Sequence, residues 1–237
     1  IERELFFRGY YYKEVTDAVK KIVKPGDIVF DIGANMGSRT LIMAKLAGEK
    51  GKVLAFEPHP DVYQRLNKNI QLNNLSNIAT FQVALSDKKV EAELFSYIDD
   101  NRNASLYPLT DIDGGGHFKI PVSTIDAVAE DSVINKLDLI KINARGSDFA
   151  IIRGGEGSII KFRPYIIFEY NGDTWSYSDS SWEEAEAAAL CLTEDLRDGL
   201  LRHQKNGAVL AYHCPFGNHW HVAHGNRHAI SRIVIPV

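Results

Sequence analysis

The sequence predicts an α/β fold: a seven-stranded, mostly parallel sheet with helices on both faces and an antiparallel hairpin at one edge. Three observations predict it. Short apolar runs, several closed by an acidic residue, alternate with segments of helical periodicity, as in a parallel sheet joined by helical crossovers. The last two runs stand close together with no helix between them, which suggests an antiparallel pair at an edge. The chain has 237 residues, 45% of them hydrophobic, enough to bury one core without disulfide or metal support. A single domain over residues 1–237 is expected, with an N-terminal helical segment, 1–24, and a core, 25–237.

The elements follow in order. Val15, Val19 and Ile22 stand at helical spacing, and Pro25-Gly26-Asp27 ends that segment. Ile28-Val29-Phe30, closed by Asp31, reads as a buried strand, and 38–47 as a helix stopped near Gly48. Val53 to Phe56 is a strand ending at Glu57, and Val62, Leu66 and Ile70 mark a helix over 61–71. Ile78 to Leu85 reads as one strand. Leu94 to Leu106 and Ile120 to Val122 read as strands flanking the loop Asp113-Gly114-Gly115-Gly116. Leu137 to Ile142 is a strand, 148–162 mostly helix, Pro164 to Tyr170 a strand and 182–204 a long helix. Ala208 to Tyr212 and Ile230 to Ile235 close the sheet.

Composition excludes several classes. No apolar run approaches the ~18 residues of a membrane span. Ile1-Glu2-Arg3-Glu4 does not read as a signal peptide, since no basic segment leads into an apolar one. A net charge of −4 argues against duplex nucleic acid as the main partner. Cys191 and Cys214 make neither a disulfide framework nor a zinc site, and the chain reads as cytoplasmic. In that setting the N-x-S matches at Asn74 and Asn103 are chance.

The chemistry centres on Asp31-Ile32-Gly33-Ala34-Asn35-Met36-Gly37, which ends the first strand and opens a helix. Gly33 and Gly37 allow backbone angles and close ligand approach that other residues forbid. The ends of adjacent parallel strands form a crevice at such a point. A dinucleotide turn has the pattern G-x-G-x-x-G, but Asn35 replaces the middle glycine here. Asp31, two residues before Gly33, repels a pyrophosphate and suits a cationic sulfonium and an amino group; S-adenosylmethionine carries both. Glu57 closes the second strand and can accept from both ribose hydroxyls, each charge-assisted bond being worth about 1.5–3 kcal/mol. Ala84-Leu85-Ser86-Asp87 would meet an adenine edge. The plainer readings are a glycine-rich turn without a ligand and an Asp31 that only caps a helix.

The run from Gly26 to Gly37 resembles the FkbM family of S-adenosylmethionine-dependent methyltransferases. So do Lys52-Val53-Leu54-Ala55-Phe56-Glu57-Pro58-His59-Pro60, Asn67-Lys68-Asn69, Ala84 to Asp87, Ser123-Thr124-Ile125-Asp126 and Arg163-Pro164-Tyr165-Ile166-Ile167-Phe168-Glu169. The matches span about residues 10–171 in the family's order. The resemblance implies a Rossmann-like class I methyltransferase fold and O-methylation of a small-molecule or sugar hydroxyl. It implies that Asp31, Gly33, Ala34, Asn35, Gly37, Glu57, Pro58, Ala84 and Leu85 hold the cofactor. Lys141, Asn143, Arg145 and Glu169 would carry the acceptor side and catalysis.

One departure is notable. Where the family usually reads Lys-Ile-Asp-Val-Glu-Gly, this chain has Lys141-Ile142-Asn143-Ala144-Arg145-Gly146. Asparagine is a poor base and a weak metal ligand. Losing a unit charge about 4 Å from a sulfonium changes the interaction by up to ~4 kcal/mol at an effective dielectric near 20. Arginine in place of glutamate favours an anionic acceptor. Two readings compete: an active enzyme with a shifted acceptor, and a homologue that binds the cofactor without catalysis. In-line positioning alone contributes roughly 7–11 kcal/mol to a transfer, which favours activity. An NAD-dependent reductase and a scaffold module are the remaining alternatives.

Other candidates were weighed in the same way. Six of eight histidines lie between His203 and His228, with His219 and His221 on one strand face. A zinc or iron site is set against a hairpin or a loop lining the acceptor pocket; no carboxylate lies between Lys205 and Val237, so no metal is assigned. Phe6, Phe7, Tyr10, Tyr11 and Tyr12 either pack an N-terminal helix, cap the acceptor pocket or form a homodimer contact. Trp175, Tyr177 and Trp182 either stack on a sugar or pin the long helix, and the Gly114–Gly116 loop would close over the site.

Overall fold

The computed structural model describes residues 13–97, 100–107 and 116–170, together with the backbone of strands at 209–213, 220–224 and 231–236. Side chains are described through residue 168, apart from those at 13–14, 97 and 100–103. The aromatic cluster 6–12, the triglycine loop before Gly116, the tryptophans at 175 and 182, and the long helix over 182–204 lie outside the described residues.

The helices are α1 (Lys13–Ile22), α2 (Ser38–Ala47), α3 (Pro60–Leu72), α4 (Ile125–Asp131), α5 (Asp148–Arg153) and α6 (Glu156–Phe162). The strands are β1 (Ile28–Ile32), β2 (Lys52–Phe56), β3 (Ile78–Phe81), β4 (Ala84–Leu85), β5 (Val90–Tyr97), β6 (Asp100–Ser105), β7 (His117–Ser123), β8 (Leu139–Ile142), β9 (Tyr165–Tyr170), β10 (Val209–His213), β11 (Trp220–His224) and β12 (Ser231–Pro236).

The main sheet has the order β12-β9-β8-β1-β2-β3. Its first five strands in sequence, β1, β2, β3, β8 and β9, run parallel, and β12 is antiparallel to β9. Strand order reverses between β2 and β8 on either side of β1, which opens a crevice at the strand ends there. This is the predicted Rossmann-like arrangement with six described strands rather than seven. The closing strands also differ from expectation. β12 joins the sheet alone, while β10 pairs with β11 in a separate ladder that lies alongside β12. The histidines divide accordingly: His213 faces Trp220 at one end of that ladder and His224 faces Val209 at the other.

Alternation along the strands assigns the faces. Val29, Val53, Leu139 and Ile167 pack against Val15, Val19, Met43 and Ala44 of α1 and α2. Phe30, Ile32, Leu54, Phe56, Ile140 and Ile166 face the opposite way, onto Ile125, Phe149, Ile151 and Ile159 of α4 to α6. Every one of these strand residues is buried because both sheet faces are covered, so the strands read as continuous apolar runs.

Three departures have physical causes. The expected strand 78–85 divides at Gln82-Val83: β3 stays on the main sheet, and β4 pairs with β7 in a second sheet of order β4-β7-β5-β6. An apolar run does not say which neighbour will take its hydrogen bonds. The expected helix 148–162 breaks at Gly154-Gly155, where the chain presses so closely on β4's exit that a Cβ on Gly154 would sit 2.0 Å from the Ser86 carbonyl oxygen. Helix α4 was not anticipated; Thr124 caps it, its Oγ1 accepting from the Ala127 amide at 3.1 Å. Among the described residues no helix is long and apolar enough to cross a membrane.

Phe56 ties the layers together. It is 1% exposed and lies 5.4 Å from the ring of Phe30 and 5.1 Å from that of Phe81. Phe56→Ala is expected to cost about 3–5 kcal/mol in urea unfolding, through lost transfer energy and the cavity left behind. Phe56→Leu should cost well under half of that.

Candidate active site

The turn after β1 is held by its neighbours before it meets any ligand. The amides of Gly33 and Ala34 both donate to the Phe56 carbonyl, at 3.0 and 2.9 Å, which draws the turn over the end of β2. Gly33 has φ +71°, and a Cβ there would stand 2.0 Å from the backbone oxygen of Asn143. Glycine is required on both counts. Asn35 has φ +53°, a left-handed conformation that asparagine tolerates, and its Oδ1 accepts from the Met36 amide at 2.8 Å.

Beneath the turn lies a buried ion pair. Asp31 and Lys141 are register partners on neighbouring strands, so their side chains project from the same face. Lys141 Nζ is 2.8 Å from Asp31 Oδ1 and donates to the carbonyls of Gly33, at 3.0 Å, and Ile32, at 3.3 Å. Thr40 Oγ1 of α2 donates to Asp31 Oδ2 at 2.6 Å. The two charged side chains are 0% and 3% exposed. A buried charge at the end of a central strand needs a partner, and the ammonium in register with Asp31 supplies it. The structure therefore places Asp31 and Lys141 under the turn, where Lys141 holds its carbonyls and Asp31 holds Lys141, rather than on the wall of the cleft.

Glu57 is the buried carboxylate that does border the cleft. Its Oε2 accepts from the Asn35 amide and its Oε1 from the His59 amide, both at 2.9 Å. Burial pushes its pKa from 4.5 to about 7, outweighing those two hydrogen bonds and the attraction of Lys141. His59 is itself buried, with Nε2 3.2 Å from Ser96 Oγ and its ring edge-on to Phe118, and burial lowers its pKa. The second sheet is thus packed directly behind the carboxylate's loop.

The cleft holds about 870 Å³, its open mouth included. Of the residues expected at the site, Gly33, Asn35, Glu57, Pro58, Ala84, Leu85, Asn143 and Arg145 border it. Ala34 and Gly37 shape the turn from behind: Ala34 packs in a cluster with Leu66, and a Cβ on Gly37 would meet Leu66 Cδ1 at 2.7 Å. Glu169 lies on β9 opposite Arg232, and its side chain is outside the described residues. The cleft also has lining the sequence did not reveal. Arg39 enters from the first turn of α2, Ser105 and Leu106 from the end of β6, and Ser147 from the loop before α5. Arg39 follows Gly37 by two residues, a spacing that would have flagged it; nothing local marks Ser105, whose approach depends on the second sheet. Among the described residues no group of three metal-ligating side chains forms.

Lys141→Met should cost about 3–5 kcal/mol in urea unfolding, because it strands a buried charge. The double variant Asp31→Leu/Lys141→Met, which removes both charges, should cost clearly less than the sum of its single variants.

Comparison with known proteins agrees with this geometry. Residues 31–191 match the family described as Methyltransferase FkbM domain. The 2-O-methyltransferase NoeI of Sinorhizobium fredii is 26% identical over 168 residues, covering 65% of this chain and 67% of that protein. Ribosomal RNA large subunit methyltransferase E of Bdellovibrio bacteriovorus is 42% identical over 114 residues, 43% of this chain and 58% of that protein. The crystal structure of methyltransferase FkbM from Methylobacillus flagellatus KT superposes with a TM-score of 0.52 at 13% identity, covering 93% of this chain and 50% of that one, which shows the shared fold. The turn at Gly33, the carboxylate at the end of β2 and the strands from β2 to β9 sit within a match spanning more than half the sequence, and the chain belongs to the FkbM family of S-adenosylmethionine-dependent methyltransferases.

Proposed function

We propose that the chain methylates a hydroxyl oxygen of a small-molecule or sugar acceptor. The observation that carries this reading is the pairing of Glu57 with the Gly33 turn across one cleft. Glu57 keeps lone pairs beyond the two amides it already accepts, and a ribose diol is the donor pair that suits them. Gly33 itself borders the cleft, and the loop after β8 packs against it so closely that only glycine fits there. Phe56, Val83, Ala84, Leu85 and Ile151 add an apolar wall suited to an adenine ring. The residues therefore fit the nucleoside. When bound, the sulfonium supplies a methyl group to the acceptor oxygen, the carbon–sulfur electron pair staying on sulfur and the hydroxyl proton passing to water or a neighbouring base.

The chain's own side chains orient rather than take protons at the acceptor end. Asn143 offers an amide, which hydrogen-bonds a hydroxyl without deprotonating it. Catalysis by positioning is sufficient for this type of transfer. The name of the NoeI relative, a 2-O-methyltransferase, supports an oxygen acceptor. The ribosomal relative raises an RNA acceptor, against which the net charge of −4 weighs. Transfer from methyl-labelled S-adenosylmethionine to sugar hydroxyls, with an RNA transcript as the rival acceptor, tests the reading. Incorporation into sugar oxygen is expected. Transfer to RNA alone, or to no oxygen at all, would overturn it.

The raised pKa of Glu57 gives a second test. Ribose hydroxyls are accepted by the ionised carboxylate, which below pH 7 must first lose its proton. Affinity for S-adenosylhomocysteine should rise about tenfold from pH 6 to pH 8 and then level off. Without ligand the sign is opposite: the folded state holds the proton more tightly, so stability falls as pH climbs from 4.5 through about 7. In Glu57→Gln the pH dependence of binding should vanish, and Glu57→Ala should bind about tenfold or more weakly at pH 8. A flat wild-type profile in titration calorimetry would remove Glu57 from the nucleoside site.

A further inference from the structure

We infer that the acceptor carries an oxyanion, received by Arg145 and Ser147 on the loop between β8 and α5. The inference rests on the methyltransferase reading of the cleft and names the acceptor class that cleft selects.

The loop runs Asn143-Ala144-Arg145-Gly146-Ser147, and Asn143, Ala144, Arg145 and Ser147 all border the cleft. Three of them present an amide, a guanidinium and a hydroxyl, and no carboxylate stands among them. The guanidinium is always charged and offers a planar fork of donors matched to a carboxylate or phosphate. Arg145 holds φ +49° and is exposed, so its side chain is directed by a left-handed backbone at the cleft's rim. Ser105 Oγ donates to the Arg145 carbonyl at 3.2 Å and accepts from the Tyr107 amide at 3.1 Å, which anchors that backbone to the second sheet.

Ser147 is the independent observation. It is 2% exposed, it borders the cleft, and its Oγ has no hydrogen-bond partner among the described residues. Ser147 occupies the position before α5 where a serine ordinarily caps the helix, yet it makes no side-chain cap. A buried hydroxyl left without a partner costs stability, so its occurrence on a cleft wall points to a ligand that completes it. The neighbouring carboxylate, Asp148, is turned inward: its oxygens accept from the amides of Ala144 at 3.4 Å and Gly146 at 3.3 Å. It braces the loop. The carboxylate among the cleft's described lining, Glu57, follows β2 and is engaged by the amides of Asn35 and His59.

The test compares glucose, glucuronate and glucose 6-phosphate, each as the methyl glycoside, on protein loaded with S-adenosylhomocysteine. Binding is read by saturation-transfer NMR and titration calorimetry, and turnover by labelled-methyl transfer. At least one anionic glycoside should bind tenfold or more tightly than the neutral one, and the stronger of the two identifies carboxylate or phosphate as the oxyanion. Arg145→Gln should collapse the anion-to-neutral ratio at least tenfold, with Arg145→Lys retaining part of it. Ser147→Ala should weaken the anionic glycoside about threefold or more without lowering the unfolding temperature, which a purely structural hydroxyl would not do. Equal binding of charged and neutral glycosides, or a ratio unmoved in Arg145→Gln, overturns the inference. Failure of S-adenosylhomocysteine to bind wild-type protein overturns the cofactor reading instead, and the anion preference of the free protein is then measured by the same titrations.

Discussion

A single ammonium group organises the end of the central strands. Lys141 Nζ neutralises Asp31 and holds the carbonyls of Ile32 and Gly33, so the direction of the chain leaving β1 is set by a charge in the neighbouring strand. The pair is not an economical source of stability, since desolvating two ions offsets most of their attraction. Its value is geometric. Carbonyls bound to Nζ point down into the sheet, which leaves the amides of Gly33 and Ala34 to reach across to Phe56 and the amide of Asn35 to reach Glu57. The carboxylate at the end of β2 is thus positioned by the turn after β1, and that turn by the lysine in β8. Three strands distant in sequence are locked into one corner of the crevice.

Electrostatics within that corner divide by depth. Asp31 and Lys141 cancel beneath the floor. Burial raises the carboxyl of Glu57 to about 7, against the lowering pull of two amides and of Lys141. A ligand that brings hydroxyl donors supplies what the protein withholds. The unsatisfied state of the free site is therefore part of its selectivity: a ligand without a donor pair leaves the buried carboxylate costly to ionise.

Much of this was legible in the sequence because it is local or periodic. Acidic residues closing apolar runs located Asp31 and Glu57, and glycine spacing located the turn. What was not legible depends on which strand pairs with which. The division of 78–85 between two sheets cannot be read from its apolar pattern, since Ile78 and Leu85 are equally suited to either. The same is true of Ser105, which reaches the cleft only because β5, β6 and β7 stack behind His59. The burial of Asp31 needed the register between β1 and β8, not merely both residues' positions at strand ends. Ser147 is not marked by any motif in the sequence; only the geometry shows its hydroxyl without a partner among the described residues.

The loop after β8 joins two functions that tolerate change differently. Its backbone at Asn143 is pressed against Gly33, with no room for even one added carbon between them. Any shift of that backbone would push the Gly33 turn off Phe56 and Glu57. The side chains of the same loop face the cleft and are under no such constraint. A carboxylate exchanged for Asn143 or Arg145 changes the charge offered to an acceptor while Asp148 keeps the amides of Ala144 and Gly146 in place. Positions 143 and 145 are therefore ones where the fold accommodates a change of side chain most readily. The main chain of these five residues holds the Gly33 turn, while their side chains set the chemistry of the cleft wall.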